Sequence, residues 1–238
     1  MKSQIELGDI VVDVELKDIK NVHLSVYPPY GRVRITAPKR MDLETIRVYA
    51  LSRLGWIREQ QRKFKDQERE TPREYLERES HYLWGDRFLL QIVEAEQVPS
   101  IELSHKKIIL KVRPGMDQAK RQAVMDEWYR RQVRQEALPM LEKWEQRLGV
   151  RMERLYIQRM KTRWGSCKPD TGGIRLNTEL AKKPRECLEY IVVHELAHLI
   201  EPTHNKRFVA LMDQFMPHWR QIRDELNRAP LGHVEWGY

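Results

Sequence analysis

The chain is poor in cysteine, with 2 in 238 residues. Two thiols cannot staple a fold of this length, so a disulfide scaffold is excluded. No stretch approaches the roughly 18 consecutive apolar residues that a membrane span needs. The opening residues 1–17 interleave charges with apolar side chains and hold no hydrophobic segment of the secretory-leader kind. Charge of one sign is not concentrated either. The net +8 divides into 28 basic and 24 acidic residues up to position 150, and 15 and 11 beyond it, a net +4 in each part. No basic arm for nucleic acid stands out, and the excess reads as a mildly basic solvated surface. No internal repeat and no low-complexity linker is visible. A hydrophobic fraction of 41% and a charged fraction of 33% describe a globular chain of one or two domains. The expectation is a cytoplasmic enzyme or binding protein without a membrane partner.

Periodicity supplies the elements. Alternation predicts strands over 10–16, 22–26 and 32–36, with turn chemistry at Pro28-Pro29-Tyr30-Gly31. Asp42 reads as the N-cap of a helix carrying Leu43, Ile46, Ala50, Leu54 and Ile57. The polar run 58–70 extends it as an exposed end, and Thr71-Pro72 marks a break. A second β region has a strand at 87–93 and a hairpin, 100–103 with 107–112. A long amphipathic helix is predicted over 117–148, with Pro139 kinking or splitting it and Gly149 ending it.

The chemistry sits in Ile191-Val192-Val193-His194-Glu195-Leu196-Ala197-His198, which contains H-E-x-x-H. On a helix, residues four apart lie about 40° from each other and ~6 Å apart along the axis. Two imidazoles so placed share one metal ion, and Glu195 lies beside it, placed to take a proton from a water. Apolar residues on more than one face mark the helix as buried. A buried helix bearing two His and a Glu is costly unless those groups are satisfied, and a metal satisfies them. The helix should end near Ile200, before Pro202.

Catalytic zinc usually takes three protein ligands. His204, five residues beyond His198, is the nearest third candidate, with Glu201 and His218 as rivals. Phe208, Leu211, Met212 and Phe215 form a helical stripe that can pack on the His-bearing helix. Upstream, residues 159–167 and 174–177 flank a turn-rich loop at 168–173 and read as a hairpin. A strand beside a metal site can pair an extended substrate, which places Arg175 and Asn177 as cleft-lining, substrate-binding candidates. Tyr156, Arg175 and His218 are candidates for steadying an oxyanion. Cys167 and Cys187 read as reduced, buried thiols.

The set H-E-L-A-H with His204 and Phe208, preceded by R-W-G-S-C and I-R-L-N, resembles the YgjP-like metallopeptidase family, itself similar to SprT-like and Wss-type zinc proteases. H-Y-L-W-G at 81–85, V-R-P-G at 112–115 and E-W-Y at 127–129 extend the resemblance over most of the chain. It implies an α+β fold: a β-rich N-terminal lobe with helices (1–116), then a small zincin-like, minigluzincin-type catalytic lobe (117–238) with a hairpin and the H-E-x-x-H helix, all within a single unit. It implies His194, His198 and His204 as ligands of one zinc ion per chain and Glu195 as catalytic base. The expected activity is peptide-bond hydrolysis of a peptide or protein substrate. The alternatives are hydrolysis of a nucleotide phosphoanhydride and a nucleic-acid-associated protease of the SprT-like kind.

Overall fold

Tight turns and alternating apolar residues build most of the architecture. The computed structural model describes residues 2–27, 31–66, 74–160 and 163–228. Residues 28–30 of the predicted turn at 28–31, and the break at 71–72, lie outside these residues. The chain divides into two compact units, Met1–Glu68 and Arg69–Tyr238.

In the first unit, β1 (Lys2–Leu7), β2 (Ile10–Lys17), β3 (His23–Tyr27) and β4 (Arg32–Pro38) form a sheet of order β1-β2-β4-β3. The β2–β4 pair is parallel and the other two are antiparallel. The alternation in β2 puts Ile10, Val12 and Val14 on one face with Val33 and Ile35 of β4. That face shares a core with Ile46 and Ala50 of α1 (Leu43–Ser52) and Ile57 of α2 (Leu54–Asp66). Asp42 caps α1 by accepting from the Thr45 N–H at 2.7 Å. The helix predicted as continuous breaks at Arg53, whose N–H turns back to the Ala50 and Leu51 carbonyls.

The second unit opens with β5 (Ser80–Leu83), β6 (Asp86–Glu94), β7 (Ser100–Ser104) and β8 (Lys107–Val112), in the order β5-β6-β8-β7. Here β6 and β8 are parallel and the other two pairs antiparallel. The topology of the first sheet therefore occurs twice, a repeat that the residues alone did not reveal. Details recur with it. Two-residue turns close the first hairpin of each sheet, Gly8-Asp9 and Trp84-Gly85, with glycine φ of 66° and 87°. Met41-Asp42 and Met116-Asp117 open the helix that follows, and Asp117 caps it through the Lys120 N–H at 2.8 Å.

That helix, α3 (Gln118–Leu148), runs unbroken through Pro139 and ends on Gly149 in the left-handed region. Pro139, Leu138 and Gln135 lie on its exposed side, so the carbonyl that loses its partner faces water. The opposite side buries Met125, Val133, Ala137, Leu141 and Trp144 in one core with Leu90, Ile108 and Leu110 of the second sheet and with α4 (Arg185–Ala197). The division falls at Glu68/Arg69, and this core lies wholly within the second unit.

A third sheet stands over α4. It comprises β9 (Arg154–Gln158), β10 (Gly165–Lys168) and β11 (Gly173–Asn177), in the order β10-β11-β9. The expected hairpin is β10–β11, closed through Pro169–Thr171 and Gly172. The added strand, β9, is parallel to β11. Two shorter helices, α5 (Lys206–Phe215) and α6 (Trp219–Arg228), complete the unit.

Candidate metal centre

Burial fixes α4. Leu188, Ile191, Val192, Val193, Leu196 and Ala197 are all enclosed. Glu189 locks the helix to α3 by accepting from Lys143 Nζ and Trp144 Nε1, each at 2.8 Å. Regular helix ends at Ala197, with His198 as the C-cap. The Leu199 and Ile200 N–H groups then bond three residues back, tightening the last turn ahead of Pro202. Glu201 accepts from Thr203 Oγ1 at 3.0 Å, and Asn205 caps α5 by accepting from the Arg207 and Phe208 N–H groups. This turn brings His204 back over α4.

The ligand atoms of His194, His198 and His204 all lie within 4.8 Å of one another, the one such group of His, Cys or carboxylates among the described residues. His194 Nε2 and His204 Nε2 are 3.0 Å apart. Three nitrogens on a tetrahedral ion at ~2.1 Å would be about 3.4 Å apart, so this set fits one ion after small adjustment. His198 Nδ1 faces the Glu201 carbonyl at 3.1 Å, and donating there leaves its Nε2 lone pair for a metal. Phe208 underlies all three rings, with centroid distances of 4.9, 4.6 and 4.8 Å to His194, His198 and His204. Burial pulls His194 down to about 3, helped by the charges of His198 and His204, and burial also lowers His198. His194 and His198 are thereby held neutral, the form that binds metal.

Glu195 is 4% exposed. It lies against Gly165 of β10, where an added Cβ would fall 2.5 Å from Glu195 Oε1 and 2.8 Å from Ile191 Cγ2. Glycine is therefore the residue that lets the strand and the carboxylate approach. Burial pushes Glu195 up to about 8, against the charge of Arg163 and a hydrogen bond from the Cys167 backbone. A buried carboxyl near neutral pKa is matched to proton transfer at physiological pH.

The rival ligands stay apart. The Glu201 carboxylate is engaged with Thr203, and His218 is not in the cluster. Arg175 and Asn177 need correction. Gly165 pairs with Leu176, and Gly165 faces Glu195, so alternation turns Arg175 and Asn177 to the other face of the sheet. There the Arg175 guanidinium lies over the Tyr156 ring at 5.4 Å, which removes both from any role beside the histidines. Asn177 is 1% exposed and spends its amide on backbone. Its Nδ2 donates to the Met160 and Arg163 carbonyls, and its Oδ1 accepts from the Met160 and Glu179 N–H groups. It clamps the segment leading into β10 instead of meeting a substrate. Cys167 is half-buried and Cys187 buried, both unbridged, and burial raises both thiols to about 11. Sequence reasoning missed Gly165 and Asn205 as parts of the site. The glycine inside a strand-forming run and the Asn just ahead of an apolar stripe were the available signals.

A family model described as YgjP-like, metallopeptidase domain matches residues 20–229. The chain belongs to the YgjP-like metallopeptidase family. Members are metal-dependent peptidases, and this YgjP-like chain is an enzyme of that type. Among solved structures it is similar to the metallopeptidase zymogen of Pyrococcus abyssi abylysin, at 25% identity and a TM-score of 0.36, over 38% of this chain and 90% of that one. It is also similar to the metallopeptidase zymogen of Methanocaldococcus jannaschii jannalysin, at 21% identity and a TM-score of 0.35, over 38% and 87%. No curated protein matches it. Among the described residues, no helix is long and apolar enough to cross a membrane.

Proposed function

We propose that this YgjP-like enzyme is a zinc peptidase that holds one ion per chain on His194, His198 and His204 and uses Glu195 as general base. The catalytic lobe is 117–238, a zincin-like arrangement inside a single YgjP-like unit. The observation that carries the reading is the convergence of three imidazoles from two separate segments onto one point, two of them kept neutral by burial. Three imidazoles suit zinc and would leave it accessible to water or substrate. When bound, zinc acidifies water and polarises a peptide carbonyl. Glu195 is hydrogen-bonded to β10 and lies one residue from a ligand. It takes the proton of the attacking water and delivers it to the departing amine. Gly165 gives it room, and β10, at an edge of its sheet, offers backbone groups to an extended polypeptide.

Elemental analysis of the purified protein should give one zinc per chain, and His204→Ala should lose it. Glu195→Gln keeps size and loses the base. It should retain zinc and melting temperature, while casein or peptide hydrolysis falls by ~10²-fold or more. Loss of zinc in Glu195→Gln would make that residue a ligand and overturn the assignment. Full activity in that variant would place the hydrolysis elsewhere.

A further inference from the structure

The face of the third sheet that points away from α4 is not a plain solvated surface. Register places Lys168, Gly173 and Arg154 in one row across its three strands, and Ser166, Arg175 and Tyr156 in the next. The middle of the first row is glycine, so two cations flank bare backbone. Strand spacing of ~4.8 Å sets their Cα atoms about 10 Å apart. A concavity of about 370 Å³ opens there, lined by Arg154, Lys168, Arg175, Tyr156 and one acid, Glu153. Tyr156 is 41% exposed, and Arg175 lies over its ring.

Two features separate this patch from ordinary surface charge. None of the three cations forms an ion pair with a described residue, whereas Lys111, Lys143, Lys182 and Arg185 all do. Gly173 is also not demanded by packing. A Cβ there would meet Thr171 Oγ1 at 3.4 Å and Tyr156 Cε2 at 4.0 Å, ordinary contacts, and its φ is not left-handed. Gly173 opens β11, and with no side chain it leaves the backbone there open to close approach by a ligand.

We propose that this face is an exosite for acidic polypeptide, with a carboxylate seated over Gly173 between Arg154 and Lys168 and a second, two residues along, on Arg175. The inference rests on the peptidase reading, because it takes the ligand to be a segment of the protein substrate. Charge complementarity sets the ligand's sign. An extended chain repeats its side chains on one face every ~6.6 Å, close to the step from Gly173 to Arg175, and this favours a strand-like acidic segment. Tyr156 supplies an apolar wall for the methylene stems of the acidic side chains.

The test uses the full chain carrying Glu195→Gln, so that bound peptide is not consumed. Fluorescence anisotropy is read with a short fluorescein-labelled peptide alternating Glu and Thr, and with its Gln–Thr counterpart. The Glu peptide should bind at least about tenfold tighter than the Gln peptide at low salt, and the preference should shrink as salt rises. The triple change Arg154→Gln, Lys168→Gln and Arg175→Gln should abolish the preference, with melting temperature and zinc content kept. Gly173→Val should also abolish it by filling the seat without changing any charge. Should Gly173→Val fail to fold, the triple variant decides alone. Equal binding of the two peptides, or unchanged binding in the triple variant, overturns the exosite. Binding of oligodeoxythymidylate that depends on these cations, without binding of the Glu peptide, overturns the polypeptide assignment. Failure of the peptidase reading would show separately, as absence of cleavage by the unmodified chain, and leaves the binding measurement intact.

Discussion

At the scale of single residues, Glu195 and Gly165 behave as one unit. The carboxyl is buried and uncharged near neutrality in the metal-free chain, and it fits only because the strand opposite carries no side chain. Gly165→Ala should displace the carboxylate or push β10 aside. Steady-state peptide hydrolysis should drop at least about tenfold, since small displacements of a positioned base are costly, while zinc content stays at one per chain. Unchanged activity would show that the strand yields freely. The spacing of His194 and His198 was legible in the sequence because helix geometry turns residues four apart the same way, and the structure gathers His204 from the following turn with them. The placement of Arg175 and Asn177 was not legible. Which face of a strand a residue occupies depends on register, and a shift of one residue reverses every side chain. Only the pairing of Gly165 with Leu176 fixes that face.

Among the elements, the turn between α4 and α5 is the part that completes the centre. Asn205 holds the first turn of α5, which carries Phe208 under the three imidazoles, and it directly follows His204. Asn205→Ala should cost ~1 kcal/mol of stability, the usual value of a lost N-cap. It should also weaken zinc binding in a chelator competition, and Asn205→Asp should restore both. A variant that melts lower yet binds zinc as tightly would confine Asn205 to a structural role. The elements themselves were unevenly legible. A long periodic segment such as α3 announces itself, and the β10–β11 hairpin shows through the turn residues Pro169, Gly172 and Gly173. In contrast, β1 shows only Ile5 and Leu7 on its buried side, β5 has four residues, and α6 rests on Trp219, Ile222 and Leu226. Signals that short fall below any periodicity test.

For the whole molecule, the buried groups of the centre make the metal-free protein respond to pH in a characteristic way. His194 titrates near 3 when folded and near 6.5 when unfolded, so acid below 6.5 favours the unfolded chain. Glu195 titrates near 8 when folded and near 4.5 when unfolded, so its contribution is present at low pH and is lost as pH rises from 4.5 to 8. The two oppose each other between 4.5 and 6.5, and above 6.5 Glu195 acts alone. Calorimetry on chelator-treated protein should therefore show the melting temperature falling from pH 6.5 to 8, and Glu195→Gln should remove that fall. A flat profile in the parent protein would show that the carboxyl is already ionised. Zinc-loaded protein should instead lose stability in acid, as protonation of the ligands releases the ion.

The duplicated four-strand pattern also sets a timetable. Every pairing of the first sheet lies within residues 2–38, and its two helices end at Asp66. These contacts are local, and local contacts form early because little chain entropy is lost in closing them. A ribosome releasing this chain from its N-terminus therefore presents the first copy as a unit able to close while the second is still emerging. Residues 194–208 emerge after both copies. Until then a metal has no complete seat, and a protease assembled in this order stays inert while both of its four-strand copies are being made.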